Sequence, residues 1–179
     1  MTIYLIRHGK TAANEQHLYC GSTDLPLSSA GLEELKMLSD EVGECRDVTS
    51  GMLRTEQTLK ALFGHVPRRI EPDFREIDFG IFEMKSYEML KDDSKYQAWL
   101  SGDNQANTPP GGESGNAMTA RALKAFQRLT EDTVVITHGG VIAAIMESLF
   151  PQEGKNRYQW QPTPGHGYKI TGESYISSP

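Results

Sequence analysis

Two short segments of this chain carry groups that handle phosphate: Arg7-His8-Gly9 near the start and His138-Gly139-Gly140 far downstream. A guanidinium is a planar fork of donors suited to phosphoryl oxygens, and a neutral imidazole is nucleophilic near physiological pH. Glycine lets a ligand approach the backbone closely. Together these types suggest attack on a phosphoryl group. Each histidine ends an apolar run, Ile3 to Ile6 in one case and Val134 to Ile136 in the other, which reads as a buried parallel strand. Folds of the α/β class place their chemistry just beyond the carboxyl ends of such strands. The order strand, His, Gly, helix puts each imidazole at that edge, with backbone N–H groups of the following helix facing the same crevice. Taken singly, either histidine is open to a structural reading; as a pair they point to one crevice.

The intervening elements alternate as an α/β chain requires. Ser28 is placed to cap a helix whose Leu32, Leu35, Leu38 and Val42 share a face, with Glu33, Glu34, Lys36 and Asp40 opposite. Asp47 to Ser50 reads as a second strand and Thr55 to Phe63 as a helix closed by Gly64, so Arg54 falls at a strand-to-helix junction. Ile70 to Phe74 reads as a strand that Pro72 confines to an edge, with Glu76 in the loop beyond it. Tyr87 to Leu100 is irregularly helical, and Thr108-Pro109-Pro110-Gly111-Gly112 breaks it. A helix through Met118 and Leu129, the strand Thr133 to Thr137, a helix from Val141 to Leu149 and an edge strand within residues 167–176 complete the pattern. The expected fold is a three-layer α/β/α sandwich around a mostly parallel sheet. It forms a single domain over residues 1–179, with a helical insert at about 83–113 lying over the active site.

Composition bounds the function. With 179 residues, 37% of them apolar and 23% charged, the chain has one domain's worth of sequence and can bury roughly 70% of its unfolded surface. Cys20 and Cys45 lack a C-x-x-C spacing and are too few for a disulfide framework, so a reducing, cytoplasmic setting is expected. No export signal and no membrane-length apolar run is visible. A formal charge of −6 argues against general nucleic-acid binding and requires that a phosphorylated small molecule be captured by cations focused in a cleft.

The ordered set of R-H-G-x-T with Asn14, L-Y-x-G at 18–21, D-L-P-L-S-x-x-G at 24–31, Arg54-Thr55 with Gln57-Thr58, Arg75-Glu76-Ile77-Asp78-Phe79-Gly80 and Thr137-His138-Gly139-Gly140 resembles the histidine phosphatase superfamily, which includes the cofactor-dependent phosphoglycerate mutases. The resemblance implies that His8 is the transiently phosphorylated nucleophile, that Arg7, Arg54 and His138 hold the phosphoryl oxygens, and that Glu76 is the general acid. It places Asn14, Cys20, Gly21 and Gly139 in the lining of the phosphate pocket. Lys10 and Gly51-Met52 depart from the family pattern, without removing a group the chemistry needs.

The chemistry is coherent by itself. Two guanidinium groups and a protonated His138 would stabilise three equatorial oxygens, with no metal and no cofactor called for. His8 must attack as neutral imidazole, so its other nitrogen should donate to a fixed acceptor, expected to be a backbone carbonyl. Glu76 would protonate the leaving alkoxide and then deprotonate the water that cleaves phosphohistidine. Asp78 and Glu83 read as structural acids beside Arg75, while His17, His65 and His166 sit in loop-like contexts and read as exposed. The stretch 79–84 with Tyr96, Trp99 and the P-P-G-G-E-S of 109–114 is similar to α-ribazole phosphatases, which implies α-ribazole 5′-phosphate as substrate. Tyr87, Tyr96 and Trp99 are candidates to stack on its flat base, or else are core. A broad phosphatase, a mutase-like phosphotransferase and an inert phospho-ligand module are the other readings. The oligomeric state is not encoded in any of these features.

Overall fold

The computed structural model describes residues 1–35 and 45–178. Leu38 and Val42 of the expected helical stripe, and Lys36 and Asp40 opposite it, lie outside the described residues. Along the chain come β1 (Thr2–Arg7), α1 (Ala12–Glu15), α2 (Ser29–Leu35), β2 (Arg46–Thr49), α3 (Leu53–Phe63) and β3 (Arg68–Ile70). They are followed by α4 (Tyr87–Leu90), α5 (Ser94–Leu100), α6 (Gly115–Gln127), β4 (Thr133–Thr137), α7 (Gly139–Leu149), α8 (Arg157–Trp160), β5 (Gly167–Thr171) and β6 (Ser174–Ser178). Among these residues one sheet runs in the order β3-β2-β4-β1-β5-β6. Its first four strands are parallel; β5 pairs antiparallel with β1 and β6 antiparallel with β5.

Strand alternation divides the sequence between two cores. Ile3 and Leu5 of β1, with Val135 of β4, point to the face covered by α6 and α7, where Met118, Ala122, Ile142 and Ile145 pack. Tyr4, Ile6, Val134 and Ile136 point the other way, onto Leu35 of α2 and Leu59 and Leu62 of α3. A strand apolar at every position, as β1 is between Ile3 and Ile6, can only be satisfied with helices on both faces. The three-layer architecture follows. A third cluster, Phe82, Leu90 and Tyr96 with Tyr19, Phe79 and Trp99 against it, packs apart from these two and forms a small lobe that includes α4 and α5.

Local boundaries differ from expectation where backbone chemistry intervenes. Ser28 caps α2 as expected, its Oγ accepting from Gly31 N at 3.1 Å. Gly64 ends α3 in a positive-φ conformation. The edge strand β3 lies earlier than Ile70 to Phe74, because Pro72 begins a turn of 3-10 helix over Pro72–Phe74. The irregular helix of 87–100 is two helices, since the Asp93 carboxylate accepts from Lys95 N and Tyr96 N and starts a new one. The C-terminal edge strand is a hairpin: β5 pairs with β1 and only β6 is at the edge, the chain reversing at Gly172 with φ of 60°. No described helix is long and apolar enough to cross a membrane.

Candidate active site

Sheet register brings the two histidines together. In the parallel pairing of β1 with β4, Ile6 lies opposite Ile136 and Arg7 opposite Thr137, so His8 and His138 emerge side by side from adjacent strand ends. Their ring centroids are 5.2 Å apart and edge-on. Both are buried. His8 Nδ1 lies 2.7 Å from Gly9 O; a carbonyl only accepts, so Nδ1 carries the proton and Nε2 keeps its lone pair. That carbonyl is the acceptor the sequence could not identify. Gly9 is held in turn, its N–H donating to Thr58 Oγ1 at 3.0 Å, and Thr58 donating to Arg54 O at 2.7 Å. Burial first, then the Arg54 and Arg7 guanidinium groups, push the imidazole of His8 from 6.5 down to about 3. His8 is therefore neutral at any ordinary pH, the form a nucleophile needs.

Arg54, in the first turn of α3, is 1% exposed. It donates to Gly21 O at 2.8 Å and Thr23 O at 2.9 Å, and its Nε donates to His138 Nδ1 at 3.3 Å. The loop of 20–23 is pinned from below by Glu83, whose carboxylate accepts from the backbone N–H groups of Gly21, Ser22, Thr23 and Phe79 and from the Thr23 hydroxyl. Gly21 has no room for a Cβ, which would stand 1.6 Å from Ile77 O. Cys20 sits on this loop with its thiol on Thr23 O, and burial raises its pKa despite Arg54 nearby. Among the described residues neither Glu83 nor Asp78 makes the ion pair with Arg75 that their positions suggested. Backbone N–H groups hold both, while Arg75 Nε donates to Ser50 O.

Arg7 donates through Nη1 to Pro162 O at 2.7 Å, and its Nε is buried without a partner among the described residues. An unpaired buried guanidinium N–H is costly and calls for an acceptor. The Glu76 carboxylate bridges its own loop and α7, accepting from Ile77 N and from Gly140 N, each at 3.0 Å. A side chain at residue 140 would meet Glu76 Oε1 at 2.5 Å, so glycine there admits the acid. Arg121 of α6 secures the same loop, donating to the carbonyls of Asp73, Arg75 and Glu76 while Glu113 accepts from its Nε and Nη2. Gly139 packs on the Arg7 guanidinium and Gln161. Of the expected lining, Gly21, Gly139 and Cys20 lie beside the arginines, whereas Asn14 closes a capping box with Thr11 at the start of α1.

His138 departs from expectation. Burial, then Arg54, His8, Arg121 and Arg7, hold its pKa well below 6.5, and Arg54 Nε donates to its Nδ1. It is neutral here, not a resident cation. Ser50, Arg121 and Gln161 complete the surroundings and were not singled out in the sequence. Thr58 joins them; it stood in the Arg54-Thr55, Gln57-Thr58 motif without an assigned role, one helical turn beyond Arg54 on the same face. Of the other histidines, His17 and His65 are exposed, while His166 is half-buried with its carbonyl on Arg7 N. Among the described residues no three His, Cys, Asp or Glu side chains cluster as metal ligands would.

A nucleophile-ready imidazole, two arginines, a second imidazole and a carboxylate, gathered at the carboxyl end of one sheet, form a set of groups suited to moving a phosphoryl group. The family model of the histidine phosphatase superfamily (branch 1) matches residues 3–174, and the chain belongs to that family. It is 31% identical to the adenosylcobalamin/alpha-ribazole phosphatase of Escherichia coli (strain K12) over 161 residues, 83% of this chain and 79% of that protein. It is 30% identical to a metal-independent phosphoserine phosphatase of Arabidopsis thaliana over 157 residues, 80% of this chain and 66% of that one. A solved structure of phosphoglycerate mutase from Thermus thermophilus superposes with a TM-score of 0.83 at 29% identity, over 100% of this chain and 99% of that one.

Proposed function

We propose that this chain is a phosphomonoesterase that works through phosphohistidine, with α-ribazole 5′-phosphate as its substrate. The observation that carries the reaction is the fixed tautomer of His8: Nδ1–H on Gly9 O leaves Nε2 as an unprotonated nucleophile, and the electrostatic field of Arg7 acts on the same ring. His8 attacks phosphorus, Arg7, Arg54 and His138 hold the oxygens, and Glu76 gives its proton to the departing alkoxide. Glu76 then takes a proton from the water that attacks phosphohistidine. No step asks for a metal or cofactor. An inert binding module would have no use for the carboxylate that Gly140 admits.

The substrate rests on the identity to the E. coli phosphatase and on the lobe. Tyr96 is core, 1% exposed, with its hydroxyl 2.6 Å from that of Tyr19, and so is unavailable for stacking; Tyr87 is exposed. Tyr19, Phe79 and Trp99 remain half-buried in mutual edge contacts next to the Gly21 loop, and they are the aromatic surface a flat base would meet. Because related proteins bear phosphatase and mutase names, the mutase reading is the rival. Phosphate release from α-ribazole 5′-phosphate, phosphoserine and 3-phosphoglycerate is measured side by side, together with isomer exchange in the presence of bisphosphoglycerate. The highest kcat/KM is expected for the ribazole ester, with no exchange. Exchange faster than release would make the chain a mutase.

A further inference from the structure

The hydrogen bonds around His138 run one way. Arg54 Nε can only donate, so His138 Nδ1 is an acceptor and the ring proton resides on Nε2. Nε2 lies 2.9 Å from Ser50 Oγ and donates to it. Thr55 Oγ1 donates to Met52 O at 2.7 Å, so at its 3.1 Å contact with Ser50 it can only accept. The hydroxyl proton of Ser50 therefore points to Thr55. All three side chains are fully buried, so no bulk water competes for these bonds. The relay is built by register: Ser50 follows Thr49, which pairs with Ile136 across the β2–β4 ladder, and Thr55 lies in the first turn of α3.

We propose that Ser50 and Thr55 are positioning residues that lock His138 as its Nε2–H tautomer, so that its Nδ1 takes up a solvent proton when a phosphoryl group binds. The inference rests on the phosphoryl-site reading above. A phosphoryl oxygen reaching Arg54 replaces Nδ1 as the acceptor of Nε–H and then faces the lone pair of Nδ1. One proton from solvent converts that repulsion into an N–H···O bond, and Nε2–H stays on Ser50 throughout. The groups facing His138 are Arg7 and His8 from the end of β1, Arg54 from α3 and Arg121 from α6. Glu76 is turned to Gly140 N. With three guanidinium groups acting on it and His8 neutral beside it, the imidazole stays neutral in the empty site and becomes charged only against a bound dianion. Positive charge is thereby created where it is used, rather than stored in a buried pocket.

Tungstate, a tetrahedral dianion near neutral pH, is a suitable probe. Calorimetric titration in buffers of different ionisation enthalpy should show uptake of about one proton per site on binding. Nitrogen NMR of labelled histidine should show His138 protonated at Nε2 alone before tungstate and at both nitrogens after it. Thr55→Val removes the end of the relay and frees Ser50 to donate to Nε2. In the complex, where Arg54 Nε–H has moved to the anion, a neutral His138 can then donate through Nδ1, so proton uptake should fall well below one per site and tungstate should bind about fivefold more weakly, as expected for one buried hydrogen bond, while Thr55→Ser restores both. Tungstate binding without proton uptake, or a Thr55→Val protein with wild-type proton uptake and affinity, would overturn the proposal alone. Absence of tungstate binding would overturn the phosphoryl-site reading and the proposal with it.

Discussion

Glu76 reaches the pocket only because residue 140 is glycine and because Arg121 holds three carbonyls of the loop that carries it. As the proposed acid, it matters most where the leaving group is a poor one. Glu76→Gln is expected to slow hydrolysis of an alkyl phosphate about 10²-fold or more in single-turnover phosphorylation, and that of a nitrophenyl phosphate far less. Equal losses on both would take the acid role from Glu76. His8 has a consequence of a different kind, in stability. Its folded pKa, about 3, lies below the unfolded 6.5, so between these values the unfolded chain binds more protons. Stability is therefore full above pH 6.5 and falls as the pH drops towards 3, by about 1.4 kcal/mol per pH unit for each such histidine. His138 adds to the same slope. Denaturant unfolding at about pH 7 and about pH 5 should show His8→Asn losing less stability than the wild type. Equal losses would mean that His8 is not buried as a neutral group.

At the level of elements, the site depends on how α3 is joined to the end of β1. Thr58 makes that joint, accepting from Gly9 N and donating to Arg54 O, and Gly9 in turn supplies the carbonyl that orients His8. Thr58→Val keeps the shape and strands a buried N–H, so it should cost about 1–3 kcal/mol in unfolding free energy and lower kcat without a matching rise in KM. Unchanged kcat would show that Gly9 is held by the strand alone. How much of this was legible in the sequence divides by mechanism. His8 and His138 stood out because a strand that ends in His-Gly before a helix fixes where the imidazole goes. Ser50 and Arg121 did not, since a serine after a strand and an arginine on an amphipathic helix look the same whether they face solvent or a buried loop. Only the β2–β4 register and the packing of α6 against the Pro72 turn assign them. Likewise β5 looked like an edge strand, because nothing local marks the pairing partner that Gly172 supplies by turning the chain back.

On the scale of the whole molecule, an acidic chain concentrates cations at one end of its sheet, and two apolar cores pack on the two faces of the strands that lead there. Leu5, 0% exposed at the centre of β1, carries the strand that presents Arg7 and His8. Leu5→Ala should cost about 2–5 kcal/mol, read by denaturant unfolding, and a cost well under 1 kcal/mol would contradict the packing described. The lobe of Tyr19, Phe79, Phe82 and Trp99 packs as a cluster of its own, and Glu83 ties it to the loop that holds Arg54 by accepting from both Phe79 N and Gly21 N. The central claim, that His8 carries the phosphoryl group in transit, is tested most directly by rapid-quench mass spectrometry during turnover of an aryl phosphate. The account predicts an acid-labile, alkali-stable phosphoryl group on the peptide containing His8, formed and lost at rates competent for turnover and absent from His8→Ala. Normal turnover by His8→Ala, or a phosphoryl group found on another residue, would contradict it.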